Sequence, residues 1–220
     1  MDPFNALDKN EVLNFFNHRP IPPNAYIILF VGDSLTCHGP KVELWDHYSG
    51  MAASTYEKDF IHLFTAEVQK ELGERPVEIL IYATRSIQTI LEQLSNSNYN
   101  PDLVIFQGGE NDPFDDAFRQ CYKSLITYYK RNPLEKKTDA IVLGDWYNRE
   151  KSDFDRQIAS EAGYPFIDLF SIQELEQNKG DGGRFNHPGV ASHPNDSGMK
   201  SISENLVREF RTHILPDIKK

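Results

Sequence analysis

Short apolar runs of strand length alternate along this chain with segments whose apolar positions recur every three or four residues. The runs are Ala25–Val31, Val77–Tyr82, Asp102–Phe106, Ala140–Leu143 and Pro165–Leu169. Three of the five lack polar alternation, as strands buried on both faces do. Between them, Phe60, Leu63, Phe64 and Val68 mark one face of a helix that ends near Gly73. Ile87, Ile90, Leu91 and Leu94 mark a second helix, Phe118, Cys121, Leu125 and Tyr128 a third, and Phe154, Ile158 and Ala162 a fourth that stops at Gly163. Ile202, Leu206 and Phe210 mark the last, after a Pro194-Asn195-Asp196 start signal. Strands alternating with helices predict an α/β domain, a three-layer α/β/α sandwich around a parallel sheet. Right-handed crossovers leave few topologies, and the flavodoxin-like five-stranded order 2-1-3-4-5 is the expected one.

Residues 1–24 read as an N-terminal extension. Asp8 is placed to cap a short helix carrying Val12, Leu13 and Phe16, and Pro20-Ile21-Pro22-Pro23 reads as a linker. The expected role of the extension is to cover a sheet edge or a helix groove. Residues 25–220 are then one domain.

Composition narrows the partners. With 23 Lys+Arg against 33 Asp+Glu, the net charge is −10, which argues against nucleic acid and against an anionic membrane surface as partners. The longest apolar run is strand-sized, far short of a bilayer span. The N-terminal MDPFNALDKNEVLNFF shows no basic region followed by an apolar block, so a cytoplasmic location is the default expectation. Cys37 and Cys121 are far apart in sequence and outside any paired motif, which fits free thiols in a reducing compartment. The 14 Phe and 10 Tyr supply bulky core material to a chain that is only 39% hydrophobic, so wholesale disorder is not expected.

In an open α/β sheet, ligands bind beyond the carboxyl ends of the strands. The segments there are Gly32-Asp33-Ser34-Leu35, Ala83-Thr84-Arg85-Ser86, Gly108-Gly109-Glu110-Asn111-Asp112 and Gly144-Asp145-Trp146-Tyr147, followed by the His187–Asp196 stretch. A Ser after one strand, an Asn after its neighbour and a His before the last helix can converge on one rim. A Ser hydroxyl is a weak nucleophile until a base takes its proton, and a tetrahedral oxyanion needs preorganised N–H donors.

These three segments, taken in order with His193-Pro194-Asn195-Asp196-Ser197-Gly198-Met199 as the third, resemble the SGNH (GDSL-type) hydrolases. Those are esterases, lipases and carbohydrate deacetylases of flavodoxin-like fold, and the resemblance runs from about Ala25 to the C-terminal helix. It implies Ser34 as nucleophile, His193 as general base and acid, and Asn111 with the Ser34 backbone N–H as oxyanion donors. The family's further donor is usually a Gly after the second strand; here no Gly is present, and the N–H of Thr84 or Arg85 is available in its place.

A second departure concerns the third triad member. The family pattern places an Asp three residues before the His, where this chain has Val190. The imidazole is then oriented by another carboxylate, with Asp196, Asp168 and Glu110 as candidates, or by a backbone carbonyl in a Ser-His dyad, which is the favoured alternative. Asp196 also reads as a helix cap, and Asp33 as a turn-holding residue.

Gly109, Glu110 and Trp146 are candidate substrate contacts, and Trp45, Tyr48 and Tyr147 lie on loops expected at the same rim. His187 is expected in a solvated loop or the pocket wall. His38, His47 and His62 lack zinc-site spacing, so neither a catalytic metal nor a cofactor is expected. Cys37 is expected to be an inert thiol. The polar loops favour small esters, with acetyl on a carbohydrate as the expected substrate. A non-hydrolytic binding protein of the same fold and an acyltransferase are the alternatives.

Overall fold

Residues 13–14, 21–40, 48–96, 100–131, 137–180 and 187–219 are described by the computed structural model of the chain. The strands are β1 (Leu13–Asn14), β2 (Tyr26–Gly32), β3 (Val77–Ala83), β4 (Leu103–Phe106), β5 (Asp139–Leu143) and β6 (Phe166–Ile167). The helices are α1 (Phe60–Leu72), α2 (Ile87–Ser95), α3 (Asp116–Ile126), α4 (Tyr128–Arg131), α5 (Arg149–Ala162), α6 (Leu169–Gln173), α7 (Pro188–Ala191), α8 (Asp196–Glu209) and α9 (Leu215–Ile218). The sheet order is β1-β3-β2-β4-β5-β6. The five strands β2 to β6 are parallel, and counted among themselves they run 2-1-3-4-5, the expected order.

Side chains alternate across the sheet with period two, and each face finds its own helices. Ile28, Phe30, Ile105 and Ile141 pack with Phe60, Phe64 and Val68 of α1 and with Ile202 and Leu206 of α8. Leu29, Val31, Val104 and Val142 pack with Ile90 of α2, Phe118 and Tyr122 of α3 and Ile158 of α5. Burying both faces of β2 and β4 explains why their sequences are unbroken apolar runs.

The N-terminal extension differs from expectation. Leu13–Asn14 form a strand, pairing antiparallel with Ala83 and Tyr82 at the edge of the sheet, where a helix was expected. A strand there pairs with β3's outer backbone groups at Tyr82 and Ala83, which a helix cannot do. Asp8, Val12 and Phe16 lie outside the described residues.

Three other boundaries moved. The expected strand Pro165–Leu169 is paired only at Phe166–Ile167, because Asp168 turns to cap α6 by accepting the Ser171 N–H. Asn195, not Asp196, is the N-cap of α8, accepting from Ser197 N and Gly198 N. Beyond α8, Phe210–Ile214 widen into a π-type turn, where Pro216 withholds the N–H that a regular helix would use.

Candidate active site

Ser34 follows β2 in a tight turn whose amides are held by Asp33. The Asp33 carbonyl accepts Thr36 N–H at 3.0 Å and Cys37 N–H at 2.9 Å, and its carboxylate accepts Leu35 N–H at 3.3 Å. This turn delivers the Ser34 side chain to the carboxyl end of the sheet, where the His193 loop arrives from the far end of the chain. Ser34 Oγ stands 2.8 Å from His193 Nε2.

The other ring nitrogen is held by backbone. His193 Nδ1 lies 2.6 Å from the Gly189 carbonyl oxygen. A carbonyl can only accept, so Nδ1 carries the hydrogen and Nε2 is left as the base toward Ser34. The carbonyl is available because α7 closes after one turn: the His193 N–H donates to Val190 O at 3.0 Å rather than to Gly189 O. Ser192 Oγ donates to the same Gly189 oxygen at 2.9 Å and uses its second lone pair. The imidazole is buried, and burial outweighs these carbonyl contacts and the Asp33 charge, lowering its pKa from 6.5 to about 4. A neutral imidazole at pH 7 is the form a general base needs.

None of the carboxylates considered from sequence holds the ring. Asp196 accepts Ser54 N–H and Oγ–H at 2.6 Å each and Lys58 Nζ at 2.8 Å, tying the loop before α1 to α8. Asp168 caps α6 and pairs with Arg149 at 3.0 Å and Arg156 at 2.9 Å. The Glu110 carboxyl meets Gln107 Nε2 at 2.7 Å. Val190 packs with Met51 and Ala52 in an apolar cluster.

Asn111 is clamped at both ends of its amide. Its Nδ2 donates to Asp33 Oδ2 at 3.1 Å, and its Oδ1 accepts from Arg85 Nη2 at 3.2 Å. A carboxamide nitrogen has two hydrogens, so one remains for a ligand. Thr84 takes no such part: its N–H donates to Gly32 O at 2.9 Å, continuing the β2–β3 ladder one residue past the strand. That leaves Arg85 as the candidate amide from this loop.

Three expected substrate contacts have other work. Trp146 is 0% exposed, and its Nε1–H donates to Ser192 O at 3.0 Å, so it braces the His193 loop from the core. Its neighbour Tyr147 does reach the rim, where its ring meets the His193 ring edge-on at 5.8 Å. Gly109 is buried with φ +106, and a Cβ there would stand 2.8 Å from Phe118 Cε2, so it serves the backbone bend. Glu110 points its carboxyl inward. His187 is exposed and caps α7 by accepting Gly189 N–H at 3.1 Å. Trp45 and His47 lie outside the described residues. Cys37 is buried, and burial raises its thiol pKa well above the usual range.

Two positioning residues escaped the sequence reading. Lys151 is 4% exposed; its Nζ donates to Gly109 O at 2.6 Å and Asp112 O at 2.7 Å, bolting the Asn111 loop to α5. Gln107 joins Asp33, Thr36 and Glu110 through one amide. Helical spacing puts Lys151 on the face of Phe154 and Ile158, but a lysine there reads as a solvated charge, and Gln107 merely follows a strand, so neither stood out as a functional residue. Among the described residues no cluster of three or more His, Cys, Asp or Glu is arranged to hold a metal ion, and no helix is long and apolar enough to cross a membrane.

No protein-family model matches the chain. No curated protein matches it either. Solved structures do match. A psychrotrophic esterase, EstA from Pseudoalteromonas sp., superimposes with TM-score 0.57 at 15% identity, covering 84% of this chain and 97% of that one. A two-domain esterase active on acetylated mannans gives TM-score 0.62 at 17% identity, covering 87% of this chain and 50% of that one. AlinE4, an SGNH-hydrolase family esterase, gives TM-score 0.51 at 13% identity, covering 88% and 99%. At these identities the likeness is one of fold: the chain has the α/β/α fold of the SGNH hydrolases.

Proposed function

We propose that this chain of SGNH-hydrolase fold is a serine esterase acting through a Ser34–His193 dyad. The observation that carries the reading is the line Ser34 Oγ, His193 Nε2, His193 Nδ1, Gly189 O, with steps of 2.8 Å and 2.6 Å at its two hydrogen bonds. His193 takes the Ser34 proton as Oγ attacks the ester carbonyl, and the resulting imidazolium keeps its Nδ1–H on the Gly189 carbonyl. The oxyanion is received by the second Asn111 Nδ2 hydrogen and by the backbone N–H groups of Ser34 and Arg85. His193 returns its proton to the departing alcohol, leaving an acyl-enzyme. The same base then activates water, and the acid leaves.

The substrate class we favour is a short-acyl ester, acetyl on a carbohydrate or similar small alcohol. Among the described residues, Ser34, Asn111, Arg85 and Ser192 give this rim small and polar groups, with the Tyr147 ring beside them, which suits a sugar face better than a fatty chain. The fold neighbour active on acetylated mannans is consistent with this choice.

Hydrolysis of p-nitrophenyl acetate by the wild-type chain and by Ser34→Ala tests the activity. Turnover that disappears in the variant, with its thermal melt unchanged, is the expected result. Equal rates in the two proteins would remove the esterase reading and leave a binding protein of this fold. Acetylated oligosaccharides against longer-chain esters then test the acyl preference.

A further inference from the structure

Beneath the Asn111 loop, two carboxyl groups converge on one amide. Gln107 Nε2 donates to Asp33 Oδ1 at 3.3 Å and to Glu110 Oε1 at 2.7 Å. The orientation of this amide is settled independently, because Gln107 Oε1 accepts the Asp33 N–H at 3.2 Å and the Thr36 hydroxyl at 2.6 Å. A backbone N–H can only donate, so the oxygen must face it and the nitrogen must face the carboxyls.

Two carboxylates so close repel each other, and one of them is far less well provided than the other. Asp33 accepts from Leu35 N–H, Gln107 Nε2 and Asn111 Nδ2 at 3.3, 3.3 and 3.1 Å. Glu110 has the Gln107 amide on one oxygen, while its Oε2 is buried and accepts nothing. The groups that face Glu110 do not favour its charge: Asp33, Asp145 and the phenols of Tyr122 and Tyr147. The buried cation of this region, Lys151, donates to the Gly109 and Asp112 carbonyls and stands 3.8 Å from Asp145 Oδ2. Behind it, Asp155 Oδ2 accepts the Asp145 N–H at 3.0 Å, while its Oδ1 is buried with no partner.

We propose that Asp33 and Glu110 share one proton, held on the Glu110 carboxyl, and that this acid–carboxylate pair positions Asn111. Protonation turns the orphaned acceptor into a donor and removes the repulsion in one step. It leaves Asp33 holding its three N–H donors and fixed where it grips the Asn111 amide. Burial and the Asp33 charge both raise the Glu110 carboxyl well above the usual glutamate range, in keeping with the geometry. Glu110 is thereby a positioning residue: it touches no substrate and acts through Asp33 on the oxyanion donor. This inference deepens the serine-esterase reading and rests on it for its kinetic consequence.

The consequence is an alkaline limb. Once the shared proton leaves, two adjacent carboxylates push Asp33 away from its place, Asn111 loses its alignment, and kcat falls while KM holds.

The test compares kcat and KM from pH 6 to 10 for wild type, Glu110→Gln and Glu110→Ala, with p-nitrophenyl acetate as substrate. Glu110→Ala is expected to lower kcat by about tenfold to a hundredfold, short of the loss of a whole oxyanion donor. Glu110→Gln, whose amide can donate to Asp33 without titrating, is expected to recover most of that loss and to lack the alkaline limb. A Glu110→Gln variant as impaired as Glu110→Ala though equally well folded, or one that keeps the wild-type alkaline limb, overturns the proposal. Infrared difference spectra of wild type minus Glu110→Gln at neutral pH provide a readout that needs no turnover. A protonated-carboxyl carbonyl band in the wild type supports the shared proton even if Ser34→Ala shows the esterase reading to be wrong; absence of that band rules the shared proton out.

Discussion

Gly189 O and His193 Nδ1 stand 2.6 Å apart, so the imidazole is oriented from four positions upstream by main chain, not from three positions upstream by a carboxylate. The carbonyl dipole fixes the tautomer as well as an Asp would. It carries no net charge, so it stabilises the imidazolium less, and the buried ring stays neutral to lower pH.

Restoring the usual acid at position 190 is therefore not expected to help. Val190 packs with Met51 and Ala52, and the Nδ1 hydrogen is already bonded. Val190→Asp should cost about 2 kcal/mol or more of stability by burying a poorly paired carboxyl, with kcat unchanged or lower. A rise in kcat, measured beside a chemical-denaturation curve, would show that the carboxylate had displaced the carbonyl.

The acid limb of activity should lie low. His193 must be neutral to accept the Ser34 proton, and its pKa is lowered from 6.5 to about 4. The kcat/KM profile, which reports the free enzyme, should hold down to about pH 5 and fall below it. The same depression makes the buried neutral ring a source of stability above pH 6.5 that is lost as pH falls toward 4. An acid limb near 6.5 would mean that the ring is solvated.

Asn111→Ala should lower kcat by about a hundredfold to a thousandfold with little change in KM, the pattern of a donor used in the transition state. Steady-state kinetics at saturating ester distinguish this from a loss of substrate binding, in which KM would rise instead.

Trp146→Phe removes the Nε1–H bond to Ser192 O, 3.0 Å long, and keeps most of the buried ring. It should cost about 1 kcal/mol and slow turnover several-fold by loosening the His193 loop. A change in KM for sugar esters with kcat intact would place Trp146 at the substrate after all.

Asp196→Ala should destabilise without a selective loss of activity. The carboxylate holds Ser54 and Lys58, at about 1 to 2 kcal/mol for a half-exposed, charge-assisted set. Burial alone would raise its pKa, but the Lys58 and Ser54 hydrogen bonds prevail and lower it below 3.8. Its stabilisation is thus present above pH 3.8 and fades in stronger acid, which a thermal melt across pH 3 to 6 will read.

Much of this protein was legible from residue order alone. Short unbroken apolar runs such as Ala25–Val31 fit central strands by their length and β-type residues, and their alternation with three-to-four-residue periodicity points to a parallel sheet. Parallel strands put their carboxyl ends on one rim, which brings the segments of Ser34 and Asn111 together; the resemblance to the SGNH hydrolases added His193 to them. What lay outside reach was set by contacts with no local pattern. The Leu13–Asn14 strand exists because β3 offers an open edge. Val190 announced that an acid was missing, but only the single turn of α7 shows that the Gly189 carbonyl is free to take its place. Trp146 and Tyr147 are neighbours in sequence, and packing alone sends one into the core and the other to the rim. The same holds for Lys151 and Gln107, whose partners come from loops many residues away. Periodicity encodes which face of an element is buried; which polar atoms meet inside depends on how the elements pack.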